Sequence, residues 1–468
     1  MFRFPRTNFH ELNLDWILSE LEKLDGECAF VTPEDFPESE NPVQDCLDYA
    51  HDNNKIVLLS NTYDIYHTLT PGEGCVIYGI NGATLVSHAQ DYPGFVPVTI
   101  FECPSNFYVS GVTFDGNRPV PSQSVIPSDL DPTQEFHTAP LIFAYDKQNI
   151  NFTDCRFTGY DSNRSTSTQS YNYAIMGITN CYGVYIGKCR FVDNLRECIV
   201  INASHEIRIT DCYFNQGDYP GDTYTEIGVF RSDDVKITDC TILKSENVTS
   251  SLINAMSDNI TISGCYLEGV NSNFGLDYGN EVEPGFSNDG LFIFNNVIKC
   301  HIWGATTYTI DHNNIKIINN QIDATNIASG SGVIAVYGSN DNSFEIYNNH
   351  FFGTTLPHQG IRIGDFSDLK ISIIGNTFEG PAIWISKTVP PMYISNNWFK
   401  SDALYQAEAD ANSYVVSMLS CKCDRAGRFG VLAAGNEITV HLVGCDFRRS
   451  ICTNAYAVYD SLSYIRGV

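Results

Sequence analysis

The sequence predicts an all-β protein, a right-handed parallel β-helix wound as a single-stranded solenoid of about 11 to 13 coils and preceded by an N-terminal helix. Three observations predict it. A short strand–turn–strand segment built round a Cys or an Asn recurs through most of the chain. A third apolar strand precedes each of those positions by about ten residues. The hydrophobic content of 43% fills a core, yet no apolar run approaches the roughly 20 residues that cross a bilayer.

The recurrence is read by aligning segments. Stretches 151–157, 185–191, 208–214, 236–242 and 261–267 place Cys155, Cys189, Cys212, Cys240 and Cys265 at the same point. Asn296, Asn320, Asn349, Asn376 and Asn397 then take that position, and Cys445 closes the series. Steps vary between 21 residues (Asn376 to Asn397) and 34 (Cys155 to Cys189) while the strands stay constant, the mark of stacked coils with unequal loops. Ile209 and Cys212 both belong inside, so the period of two slips by one residue between them and the chain turns a corner. Coils stacked at about 4.8 Å bring equivalent Asn side chains into an internal ladder, bonded to one another and to turn backbone. Cys serves there as a small buried filler. The sixteen cysteines are therefore expected as free thiols rather than disulfides.

The third strand appears at 199–201, 227–229, 334–336, 361–363 and 383–385, which makes each coil three-sided. Alternation places those isoleucines and valines inside and sends Phe143, Tyr145, Met176, Val200, Phe230, Ile253, Ala335 and Trp384 outside. An apolar outer face of that kind is expected to be a subunit interface.

Ahead of the coils, Leu14, Ile17, Leu21 and Leu24 step by three and four, with Trp16 among them and Asn13 as N-cap. Residues 1–27 are expected as a helical attachment or self-association segment. A second helix near 41–53, with Val43, Cys46, Leu47 and Ala50 on one face, caps the β-helix, whose expected span is 28–455 with a tail at 456–468.

The charge excludes several partners. With 55 Asp plus Glu against 27 Lys plus Arg, nucleic acid and anionic membrane are unsuited. The first residues lack the apolar core of a secretory signal, so no export by that route is expected. No metal-ligand spacing or cofactor motif is present, and none of either is expected.

The long loops, 117–139, 160–172, 215–225 and 270–289, leave along one edge. They combine aromatic planes and carboxylates, which suit the apolar ring faces and hydroxyls of sugars. Tyr171, Tyr219, Tyr224, Asp277 and Tyr278 are the candidate glycan-binding residues. Glycoside cleavage needs two carboxyls at fixed separation. Glu226, read as facing outward at a strand start, is the candidate, paired with Asp222 or Asp233.

Two stretches carry resemblances. Segment 31–87, with Pro33-Glu34-Asp35-Phe36, Val57-Leu58-Leu59, Asn61-Thr62-Tyr63 and Gly82-Ala83-Thr84-Leu85, resembles the opening of pectate-lyase-like β-helix proteins, phage tailspikes among them. The peptide Asn8-Phe9-His10-Glu11-Leu12-Asn13-Leu14-Asp15-Trp16-Ile17-Leu18 is similar to an N-terminal peptide of tail and appendage proteins of phages infecting gut bacteria. The paired aspartates of polygalacturonase-type enzymes are missing, and His358-Gln359-Gly360 with Arg362 only approximates their Gly-His-Gly. The resemblances imply a homotrimeric virion subunit, assembled in the host cytoplasm, joined to other virion proteins through the N-terminal segment and binding a bacterial surface polysaccharide. A depolymerase on the same scaffold and a purely structural virion protein are the alternatives.

Overall fold

The structure, a computed structural model, describes residues 29–88, 99–117, 140–160, 174–194, 197–215, 225–244, 251–269, 275–278, 290–304, 314–325, 332–336, 343–353, 360–363, 370–380, 383–385, 392–400, 404–406, 414–423, 428–430, 438–447, 451–453, 455–459 and 464–465. The segment carrying Leu14, Trp16, Ile17, Leu21 and Leu24 lies outside them. Every strand pair is parallel, and each strand bonds to its equivalent one coil away. Gln148–Thr153 pairs with Tyr182–Gly187, for example, and that strand with His205–Thr210. Among the described residues four sheets result, of 17, 16 and 12 strands and, from Arg428–Gly430 and Ile451–Thr453, of two. The chain is a parallel β-helix.

We call the 17-stranded sheet sheet 1, the 16-stranded sheet sheet 2 and the 12-stranded sheet sheet 3. Twelve coils carry a strand of each of these sheets. The two-stranded pair Arg428–Gly430 and Ile451–Thr453 supplies the third side of two more, making fourteen against the expected 11 to 13, and the other two faces run on at the N-terminal end. At the C-terminal end Ala455–Tyr459 and Tyr464–Ile465 still pair with Ile438–Val443 and Asp446–Phe447. Strand pairing therefore passes residue 455, where the sequence pattern had suggested a tail; the aromatic alternation Tyr456, Val458 and Tyr464 carries no Cys or Asn to reveal it.

The helix Pro42–Asn53 buries Val43, Cys46, Leu47 and Ala50, as the spacing predicts, and packs beside Phe30–Val31 and Ile56–Leu59. Asn41 caps it by accepting from the Gln44 N–H at 3.3 Å, and Asn54 ends it in the left-handed region.

The corner between sheets 1 and 2 is set by one conformation. The residue before each ladder position has positive φ: Asp154 (52°), Asp211 (53°), Asp239 (55°), Asn295 (58°), Asn319 (55°) and Asn348 (54°), with Gly264 and Gly375 elsewhere. Asp, Asn and Gly tolerate that region best, which explains their recurrence there. Inside the corner the ladder is formed as expected. Asn296 donates from its backbone N–H and from Nδ2 to Oδ1 of Asn320, at 2.9 and 3.0 Å, and Asn320 does the same to Asn349. Each Nδ2 also reaches a carbonyl of an adjacent coil, Ile262 for Asn296 and Ile293 for Asn320. Cys421 belongs to this ladder too, its N–H donating to Cys445 Sγ at 3.4 Å. Fourteen described cysteines are free and buried.

Two interior features were not read from the sequence. The corner between sheets 3 and 1 holds a second ladder, in which the N–H groups of Cys181, Ser204 and Ser232 donate to Oγ of Ser204, Ser232 and Ser257. Under sheet 2 phenylalanines stack along the axis: Phe114, Phe157, Phe191 and Phe214 with centroids 4.7 to 4.9 Å apart, then Phe351, Phe378 and Phe399.

Candidate functional site

Sheet 3 is flanked by the longest stretches between coils, because 118–139 and 161–173 each precede one of its strands and 279–289 follows one. Its inward row is Ile142, Met176, Ile199, Ile227, Ile253, Leu276, Ile302, Ile334, Ile361 and Ile383. Met176 and Ile253 sit in this row, both fully buried, so the expectation that they face outward is corrected. Each begins its strand, and only register with Ile199 and Ile227 fixes the phase of its alternation.

The neighbouring outward row reads Phe143, Gly177, Val200, Gly228, Asn254, Asp277, Trp303, Ala335, Arg362 and Trp384 by register. This is a mixed row and not the continuous apolar face expected. Phe143, Val200, Phe230 and Trp384 are half-buried, Tyr145 is exposed, and Ala335 is fully buried. The Arg362 guanidinium lies over the Trp384 ring at 4.5 Å. A longer apolar outward row occurs instead on sheet 1, where Phe294, Ile318, Tyr347 and Ile374 follow one another, then Ser395, Leu419 and the exposed Val443.

The candidate carboxylates are placed as follows. Glu226 immediately precedes the strand Ile227–Phe230 and is fully buried, not outward. The equivalent residues on other coils, Leu141, Ile175, Cys198, Leu252, His301 and Val333, are all fully buried, so this corner is an interior row. The Cys198 thiol donates to Glu226 Oε2 at 3.0 Å. The alternation rule failed at Glu226 because the residue lies in the bend, before the strand phase begins. Asp233 lies beyond the other end of the same strand, and a strand of that length alone spans about 13 Å, more than the roughly 6.5–9.5 Å that an inverting pair needs. Its carboxylate meets His205 Nδ1 at 2.5 Å on the surface. Asp222 lies outside the described residues.

Asp277 and Tyr278, expected in a loop, belong to the strand Leu276–Tyr278, and both are buried. Tyr278 points into the core, donates to the Ala335 carbonyl at 2.6 Å and lies 5.9 Å from the Phe344 ring. The strand is only three residues long between acidic, glycine-rich stretches, so its periodicity was hidden. Tyr160 is likewise fully buried. Tyr171, Tyr219 and Tyr224 lie outside the described residues.

His301, in the buried corner row, is held by burial down to a pKa of about 4, with a hydrogen bond to the Gly332 backbone opposing the drop. The folded state then takes up the proton later than the unfolded chain, whose imidazole titrates near 6.5. Stability present above pH 6.5 is therefore lost as pH falls from about 6.5 to about 4, by about 3 kcal/mol at most. Urea unfolding at stepped pH checks this, and His301→Gln is expected to flatten the limb between about pH 6.5 and 5.

No protein-family model and no curated protein matches the chain. Similar solved structures include PfbA, a surface adhesin of Streptococcus pneumoniae, at 14% identity and TM-score 0.42, covering 93% of each chain. They also include an N-terminal fragment of bacteriophage phi29 gene product 12, at 11% identity and TM-score 0.47, covering 92% of this chain and 89% of that one. A third is tailspike protein 3 of bacteriophage CBA120, at 12% identity and TM-score 0.38, covering 96% of this chain and 62% of that one. In fold, this chain is a parallel β-helix. Among the described residues no helix of this β-helix is long and apolar enough to cross a membrane.

Proposed function

We propose that the protein is a phage spike or appendage subunit that recognises a bacterial surface glycan, as a homotrimer held in the virion by its N-terminal segment. The observation that carries glycan recognition is the outward row of sheet 3, where the Arg362–Trp384 stack stands on a rigid sheet, five coils or more beyond the strands that follow 118–139, 161–173 and 216–224. An indole face takes the apolar side of a sugar ring, and a guanidinium supplies fixed donors to its hydroxyl or carboxylate oxygens. The phage assignment rests on the resemblance of the 8–18 peptide. The apolar outward row of sheet 1 supports self-association. Cleavage is the weaker reading, since Glu226 is buried against Cys198 and distant from Asp233 along the chain.

The test is binding of the full chain to purified capsular and cell-wall polysaccharides of gut bacteria. Retention of one polysaccharide at unchanged length, weakened in Arg362→Ala, is the expected result. Release of reducing or unsaturated ends would select a depolymerase. Failure to bind any of them would leave a structural virion protein, and a monomer by light scattering would remove the trimer.

A further inference from the structure

The outer face of sheet 2 carries a pattern that no loop explains. Its first outward row reads Arg190, Tyr213, Thr241, Tyr266, Val297, Gln321, His350, Thr377, Trp398 and Lys422, one residue per coil in parallel register. Twice in this row a small threonine separates two aromatic rings. Tyr213 and Tyr266 flank Thr241, and His350 and Trp398 flank Thr377. Coils repeat at about 4.8 Å, so the two rings of each pair stand about 10 Å apart with a low floor between them.

The cations show which way the rings face. Arg190, one coil before Tyr213, lies over that ring at 5.1 Å, and Lys299, one coil after Tyr266, lies over that ring at 5.1 Å. Both therefore sit on the sides away from Thr241. Trp398 differs: Lys422 of the next coil lies over the indole at 4.8 Å and Lys400, whose ammonium also pairs with Glu379 beside Thr377, lies over it at 4.6 Å, so cations cover this ring and the gap between His350 and Trp398 is filled. A cation above a ring by about one coil spacing means that the ring turns its face along the axis of the β-helix. The opposite faces of Tyr213 and Tyr266 are then turned toward one another across Thr241.

Both tyrosines are also held by their hydroxyls. Tyr213 accepts from Asn215 Nδ2 at 3.3 Å, and Tyr266 donates to Glu268, which pairs with Lys299 at 3.7 Å. In the second pair Glu379 stands beside Thr377 and bridges His350 Nε2, at 3.1 Å, and Lys400. Rings fixed in place lose little freedom when a ligand arrives.

We propose that the notch over Thr241 is a sugar subsite taking one pyranose ring edge-on between the Tyr213 and Tyr266 faces, with its glycosidic bonds directed across or away from sheet 2 rather than along the axis. A ring midway in a gap of about 10 Å lies about 5 Å from either face, the distance at which an apolar ring face packs on an aromatic one. Glu268 at the rim accepts hydrogen bonds from ring hydroxyls, which a hydroxyl-rich sugar supplies and an aliphatic chain does not. This rests on the glycan reading above but places contacts on a different face from the Arg362–Trp384 stack.

The test uses the polysaccharide that the wild-type full chain retains, with binding followed by titration calorimetry. Tyr213→Ala and Tyr266→Ala remove one wall each and are expected to weaken Kd about tenfold apiece. Thr241→Tyr fills the notch while leaving both walls, and is expected to match Tyr266→Ala. Tyr393→Ala, which removes an exposed ring from sheet 1, is the control and is expected to change nothing. Thermal unfolding at the wild-type midpoint shows that each variant is folded. If the wild type binds and the sheet 2 variants bind equally well, the notch is not a subsite while the glycan reading stands. If the wild type binds no polysaccharide, both fall.

Discussion

Asn349→Ala is expected to give one of the two largest losses of stability of any single substitution in the described coils. Asn349 Oδ1 accepts from the Asn320 N–H at 2.9 Å, and its Nδ2 donates to the Ile317 carbonyl at 2.7 Å. Alanine leaves that buried N–H and that carbonyl unmade, where Asn320 Nδ2 keeps Ile293 and Asn376 Oδ1 keeps the Asn349 N–H. Two orphaned buried groups at about 1–3 kcal/mol each give a loss of about 4 kcal/mol. Asn349→Cys is expected to cost about half as much, because Cys occupies the equivalent position in other coils and its Sγ accepts a backbone N–H there. Urea unfolding of the three proteins decides the matter. Equal midpoints for wild type and Asn349→Ala would mean that the ladder contributes no stability.

The second large effect is expected at Phe378. Its ring stacks on Phe351 at 4.6 Å and on Phe399 at 4.8 Å, and all three are fully buried. Removing the middle ring loses its transfer free energy and opens a cavity between coils that hydrogen bonding holds apart, so collapse cannot fill it. Phe378→Ala is expected to cost about 3–5 kcal/mol. Phe378→Leu is expected to recover most of that, to within about 1.5 kcal/mol, because Ile242, Leu267, Ile298 and Ile322 fill the same column on other coils. Denaturation midpoints check both values, and limited proteolysis would show whether opening begins at the coils around residue 378.

The fold was legible because its rules repeat. The Cys and Asn positions, the third strand and the buried face of the helix Pro42–Asn53 each follow from a period, and a period survives in sequence. The serine ladder of Ser204, Ser232 and Ser257 was missed because it spans few coils and serine is ordinary in turns. The site was less legible for a related reason. Glu226, Asp277 and Tyr278 sit at strand starts or in a very short strand, where no run of alternation exists to fix the side that each residue faces. Burial there depends on what neighbouring coils place above and below. Leu252 and Cys198, far off in sequence, decide it for Glu226. The aromatic and threonine positions of sheet 2 were likewise invisible one coil at a time, because Tyr213 and Tyr266 become neighbours only through stacking.

The asparagine ladder has a direction as well as a strength. From Cys265 through Asn376, every backbone N–H of the ladder donates toward the C-terminal coil and every accepting Oδ1 belongs to the later residue, while each Asn Nδ2 also donates back to a carbonyl of the preceding coil. The side-chain amides are thus aligned head to tail along the axis, and their dipoles add rather than cancel, as peptide dipoles do in an α-helix. A coil whose successor has not yet formed holds a buried donor awaiting its acceptor. A coil whose predecessor is missing likewise holds an Oδ1 without its donor, so each ladder coil completes its bonds only when stacked on both sides.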